Sequence, residues 1–114
     1  MLSYKKLDVY RCSIEFLALA SELRTALPKG HGGLGDQLYR ASLSIPLNIA
    51  EGTGKARGAD KARFYAIARG SAMECGAILD ACVAMRLVPG ESAHRGEALI
   101  VRIVEMLTRL GRLA

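Results

Sequence analysis

Prolines and glycines cut this chain into four long stretches, and within each one apolar residues recur every three or four positions. That spacing predicts amphipathic helices, and no stretch alternates with the two-residue period of a strand. The first helix is expected from about Tyr4 to Ala26, with Leu7, Tyr10, Ile14 and Leu17 on one face and Pro28 and KGHGG ending it. The second is expected from about Leu34 to Glu51, with Leu34, Leu38, Ala41, Ile45 and Ile49 as its stripe and Gly52 and Gly54 as its stop. Pro46 lies inside that stripe and removes the bond to the carbonyl of Ser42, which predicts a kink or a break. The third is expected from about Ala59 to Leu87, before Pro89 and Gly90, and the fourth from Glu91 or Ser92 to Arg112, with Leu99, Ile103, Met106 and Leu110 sharing a face. Connections this short make sequential helices antiparallel. The expected fold is all-α: one domain over residues 1–114, an antiparallel up-down four-helix bundle with its second helix kinked at Pro46.

The third helix carries two apolar stripes. Phe64, Ile67, Ala68, Ser71, Cys75, Ile78, Cys82 and Met85 make one, and Ala66, Gly70, Met73, Ala77 and Ala84 make another on the far side. A surface helix of a monomer needs only one such face. The second is expected to be buried centrally or in a contact between copies, the reading favoured here being a homo-oligomer.

Composition narrows the chemistry. Sixteen Lys+Arg against 11 Asp+Glu leave a formal net charge of +5. That suits an anionic partner, such as RNA, DNA or a membrane surface, or simply a solvated surface. The densest positive run holds Lys55, Arg57, Lys61, Arg63 and Arg69 against Asp60 alone, with Tyr65 placed for stacking. Arg40 is a further candidate phosphate contact. On the second helix Gln37, Arg40, Ser44, Asn48 and Glu51 form a polar stripe. It reads either as a hydrogen-bonded network between helices or as a solvent face. Ser and Asn are poor interior helix formers, and their place beside Pro46 points to specific bonding.

Catalytic and metal signatures do not assemble. Cys12, Cys75 and Cys82 form no CxxC pair, and His31 and His94 sit near glycines in predicted loops, so no metal site and no cofactor are expected. GTGK at residues 52–55 lacks the earlier glycine of a phosphate loop, where Ile49 stands, and the following Ser or Thr, where Ala56 stands. Glu51 and Glu74 are the nearest thing to paired carboxylates, and no ExxH motif accompanies them. The N-terminal residues lack the apolar run of a signal peptide, and no stretch is long and apolar enough to span a membrane. The expectation is a cytoplasmic protein that is not an enzyme.

QLYRASLSIPLNIAEGTGKA, followed by FYAIARGSAMECGAIL, resembles the four-helix-bundle proteins encoded in 23S ribosomal RNA intervening sequences, the S23 ribosomal protein family. The matching residues include Gln37, Arg40, Ala41, Ser44, Ile45, Asn48, Ile49, Ala50, Glu51 and Gly52, then Phe64, Ile67, Ala68, Gly70, Ser71 and Glu74. The resemblance implies a ring-like homopentamer. It extends to the accessory protein of diversity-generating retroelements, which works with a reverse transcriptase and RNA. Thr53 stands where the family often has an aromatic residue. Two functions are therefore expected to compete: nucleic-acid binding, RNA more than DNA, and a scaffold for a protein partner, possibly a polymerase.

Overall fold

A computed structural model describes residues 2–114. It holds four helices, α1 (Asp8–Ala26), α2 (Gly32–Thr53), α3 (Gly58–Ala84) and α4 (Gly90–Leu113), after a 3-10 turn at Ser3–Lys6. The expected all-α bundle is the observed one. The backbones approach closely between α1 and α2, α2 and α3, α3 and α4, and α4 and α1, while among the described residues no Cα atoms of diagonal helices come within 8 Å. Partners run in opposite order along neighbours. Gln37, Ser44 and Thr53 meet Glu74, Ser71 and Tyr65, while Arg69 meets Thr108 and Leu79 meets Gly96. The bundle is 45 Å long and 22 × 20 Å across.

Several ends differ from the sequence reading, each for a local reason. Leu7 adopts an extended backbone (φ −79°, ψ 129°), so the first helix starts at Asp8 and Tyr4 stays in the 3-10 turn. The third helix stops at Ala84, three residues short of the expected Leu87, because Arg86 takes a left-handed φ of 59°. The Arg86 N–H then donates to Val83 O at 3.0 Å and the Leu87 N–H to Cys82 O at 2.9 Å, closing the helix in a Schellman pattern. His94 lies within α4, not in a loop. The α2 helix runs unbroken through Pro46, which is buried.

The core faces also correct two stripes. On α1 the buried face is Val9, Cys12, Phe16, Leu19, Ala20 and Leu23, while Ile14 is 40% exposed. On α3 it is Tyr65, Ala68, Ala72, Cys75, Ile78, Leu79 and Cys82, which keeps Ala68, Cys75, Ile78 and Cys82 of the expected stripe, while Ile67 and Met85 face outward. The stripe expected on α3 followed hydrophobicity. On the observed face Ala68 and Ala72 are completely buried, and residues this small let neighbouring helices approach. Gly52 and Gly96 mark close approaches inside the bundle: a Cβ on Gly96 would sit 2.9 Å from Leu79 Cδ1, and one on Gly52 would sit 2.9 Å from the Tyr65 ring. Two fully buried serines are satisfied within their own helices, Ser13 donating to Tyr10 O at 2.6 Å and Ser42 to Tyr39 O at 2.9 Å.

All three cysteines are free and buried, and among the described residues no His/Cys/Asp/Glu cluster could hold a metal ion. Burial pushes the Cys75 thiol from 9.0 up to about 12, with Glu74 adding to it, and burial also raises Cys12 and Cys82. In the unfolded chain Cys75 loses its proton near the ordinary value, so above it the folded state holds a proton that the unfolded state has released. The stability linked to Cys75 is complete below about pH 9 and drains away as pH rises toward about 12. Urea unfolding should show this thiol removing about 2 kcal/mol between pH ~8 and pH ~10.5. The loss should shrink in Cys75→Ala; an unchanged pH dependence in that variant would assign the effect to other groups.

Candidate functional site

The polar stripe of α2 lies along its seam with α3. Gln37 Nε2 donates to Glu74 Oε2 at 3.3 Å, near one end of the seam. At mid-seam the Ser44 and Ser71 hydroxyls meet at 2.8 Å. Asn48 Nδ2 donates to Ser44 O at 2.8 Å and to Ser44 Oγ at 3.0 Å. The Asn48 amide thus serves the carbonyl of Ser44, not that of Ser42, the one Pro46 deprives of its donor. Arg40 and Glu51 stand outside this network. Arg40 lines an open recess of about 340 Å³ with Gly33, Asp36, Gln37 and Glu74. Glu51 pairs with Lys55 at 3.4 Å. Glu51 and Glu74 therefore have separate partners and form no carboxylate pair.

The seam ends at the α2–α3 turn, and Thr53 is its hub. Its hydroxyl donates to Ile49 O at 2.8 Å and meets the Tyr65 hydroxyl at 3.1 Å, while its carbonyl accepts from Lys61 Nζ at 3.0 Å. Sequence reading passed over Thr53 as a functional residue, since a lone threonine at a helix end carries no pattern.

The same turn collects the predicted cations, in unequal states. Lys55 pairs with Glu51 and lies over the Phe64 ring, 5.2 Å from its centroid, and the Arg63 guanidinium lies over that ring at 4.5 Å. Arg57 precedes α3, exposed, with no ion pair among the described residues. Lys61 is half-buried and committed to Thr53. Arg69 is drawn toward α4, where its Nε donates to Thr108 Oγ1 at 2.9 Å. Arg40 is fifteen residues before Lys55, about 22 Å away along a helix axis, and is not part of this cluster. The ring among the cations is Phe64. Tyr65 is only 5% exposed, so it cannot offer a face for stacking. The α3 periodicity had placed these two neighbours the other way round.

The second stripe of α3 is outward-facing. Ala66, Gly70, Met73, Ala77 and Ala84 are all exposed, Met73 by 54%. That exposure excludes burial at the centre of the bundle. Met73, Ala77 and Ala84 instead line an open groove of about 680 Å³ with Val83 and, from α4, Ile100 and Val101.

These features define a class: a small up-down helical bundle with a hydroxyl and amide seam, a basic turn at the end of that seam, and an uncovered apolar groove. The chain belongs to the 23S rRNA-intervening sequence protein family, whose family model matches residues 5–109. It is similar to a solved structure from Bacteroides thetaiotaomicron VPI-5482, a protein with unknown function from the S23 ribosomal protein family. The two share 22% identity and a TM-score of 0.83, over 90% of this chain and 96% of that one. Likeness at that identity speaks for the fold. No curated protein matches the chain.

The two kinds of cation separate by experiment. Lys61→Met keeps the aliphatic stem but strips Thr53 O of its donor, and should cost about 1–2 kcal/mol in urea unfolding. Arg57→Ala should change stability by less than about 0.5 kcal/mol. Equal losses would mean that Arg57 also holds the turn together.

Proposed function

We propose that this protein is a non-enzymatic, homo-oligomeric nucleic-acid-binding protein that favours RNA over DNA. The observation that carries the reading is the α2–α3 turn, where Lys55, Arg57 and Arg63 gather within one short segment and only Glu51 and Asp60 stand nearby. Lys61 and Arg69 add positive potential from fixed positions and act less as direct phosphate ligands. RNA is set ahead of DNA because the family's name ties it to 23S rRNA intervening sequences. Binding of this kind is mostly electrostatic, weak in sequence preference and steep in salt.

Reversing Lys55, Arg57 and Arg63 to Glu should weaken binding to a structured RNA by at least about a hundredfold at low salt, with helicity unchanged by circular dichroism. The measurement is fluorescence anisotropy on nuclease-treated protein across a salt titration. Unchanged affinity in that variant sinks the assignment. A scaffold role, with an acidic protein such as a polymerase at the same surface, then becomes the better reading.

The exposed α3 face supports self-association. Met73, Val83 and Val101 are each about half exposed around one groove, a liability on a solitary bundle. A ring of copies, a pentamer by family resemblance, would cover this face and multiply the basic turn by avidity. Light scattering should show an oligomer at micromolar concentration, and Met73→Asp with Ala77→Asp should convert it to a helical monomer. A wild-type monomer at that concentration would overturn this part of the reading.

A further inference from the structure

We infer that the nucleic acid held by this surface is double-helical RNA, gripped through its phosphates across one whole end of the bundle. The inference rests on the nucleic-acid reading above and specifies its ligand. The up-down topology brings the start of α1, the end of α2, the start of α3 and the end of α4 to the same end. Leu7, Asp8 and Val9 line a recess with Met106, Arg109 and Leu110. Ala114 lies against Gly58, where an added Cβ would come within 2.8 Å of its carbonyl carbon. Cations far apart in sequence therefore share one face: Lys5 and Lys6 from the 3-10 turn, Lys55, Arg57 and Arg63 from the α2–α3 turn, and Arg109 and Arg112 from the last turns of α4.

All of these except the half-buried Lys55 are exposed, and among the described residues only Lys55 is in an ion pair. The acids at this end are few. Asp8 faces Arg11 at 3.6 Å, Glu51 faces Lys55, and Asp60 sits in the first turn of α3. At the opposite end Arg24, Lys29, Arg86 and Arg95 stand among four acids, Glu22, Asp36, Asp80 and Glu91, with Arg24 paired to Asp36. The charge asymmetry is created by folding and is absent from the order of the residues.

Two observations select a duplex. The bundle whose end carries these cations is 22 × 20 Å across. A span of about 20 Å holds roughly a dozen phosphates of a double helix and about half as many of a single strand. The seven cations come from three separate segments of the fold and not from one line, so two backbones reach more of them than one strand does. Single-strand binding also needs free rings for bases to stack on, and the rings at this end are occupied. Tyr65 is buried and bonded to Thr53, Tyr4 and Tyr10 pair at 4.8 Å, and Phe64 lies beneath Lys55 and Arg63.

The test compares an RNA duplex of about two helical turns with polyuridine of equal length, by anisotropy over a salt series. The duplex should bind at least about tenfold more tightly. Neutralising the far side of the face, Lys5→Gln with Lys6→Gln, Arg109→Gln and Arg112→Gln, should weaken duplex binding about tenfold or more. It should also lower the salt slope by roughly two to three units. Polyuridine binding as tightly as the duplex overturns the inference, and so does an unchanged duplex affinity in the neutralised protein. In either case, loss of binding on reversing Lys55, Arg57 and Arg63 would leave the general nucleic-acid reading standing. Failure of the wild-type protein to bind either RNA removes both. The duplex-to-strand ratio needs no variant, so it decides even if the neutralised protein loses helicity.

Discussion

Close approach of the helices is the constraint on which the rest of this structure depends. Phe16 is the one phenyl ring fully inside the core, and much of the remaining interior is Leu, Ile and Ala. Ala68 and Ala72 on α3 and Ala20 on α1 are completely buried, and Gly52 and Gly96 leave no room for a Cβ without displacing a neighbour. Interiors are packed to crystal-like density, so small side chains can fill space only by drawing backbones together. That approach is what lets short hydroxyl side chains on different helices reach each other. The Ser44–Ser71 contact at 2.8 Å spans α2 and α3 with no long side chain between them.

The seam and the basic turn share a physical origin. Gln37, Ser44 and Asn48 run down α2 at helical spacing, and Thr53 at its end orders the turn that displays the cations. Lys61 caps the end of α2 with its ammonium, while its neighbours Arg57 and Arg63 remain exposed. Structural and ligand-facing cations therefore sit within one turn of each other, separated by which way each points around the start of α3. Charge density along the chain cannot distinguish them.

The α3 helix shows how far periodicity reaches. Its apolar residues cover so much of the circumference that several phases fit the pattern almost equally well. The phase observed places Tyr65 and Ala72 inward and turns Ile67 and Met85 out. Two neighbouring helices dominate that phase, since the α3 backbone approaches only α2 and α4 closely among the described residues. The α2 stripe matches its buried residues closely, with Leu38, Ala41, Ile45 and Ile49 all inside; on α4 Leu99 and Ile103 are buried, Met106 and Leu110 only partly, and Ile100 and Leu107 complete the face. The seam partners Ser71 and Glu74 were visible as residue types, but their pairing with Ser44 and Gln37 depends on register between helices.

By itself the sequence determined the number of helices, the breaks between them near glycine and proline, the all-helical bundle and the basic stretch around Lys55–Arg69. These follow from backbone preferences and from spacing within a single segment, which are local properties. The tertiary structure alone decided three further things. Tyr65 is an interior strut and Phe64 the ring among cations; Lys61 and Arg69 are tied to Thr53 and Thr108; and Lys5, Lys6, Arg109 and Arg112 join the α2–α3 turn at one end. Each of these depends on which residues meet across helices, and that is set by packing between segments far apart in the chain.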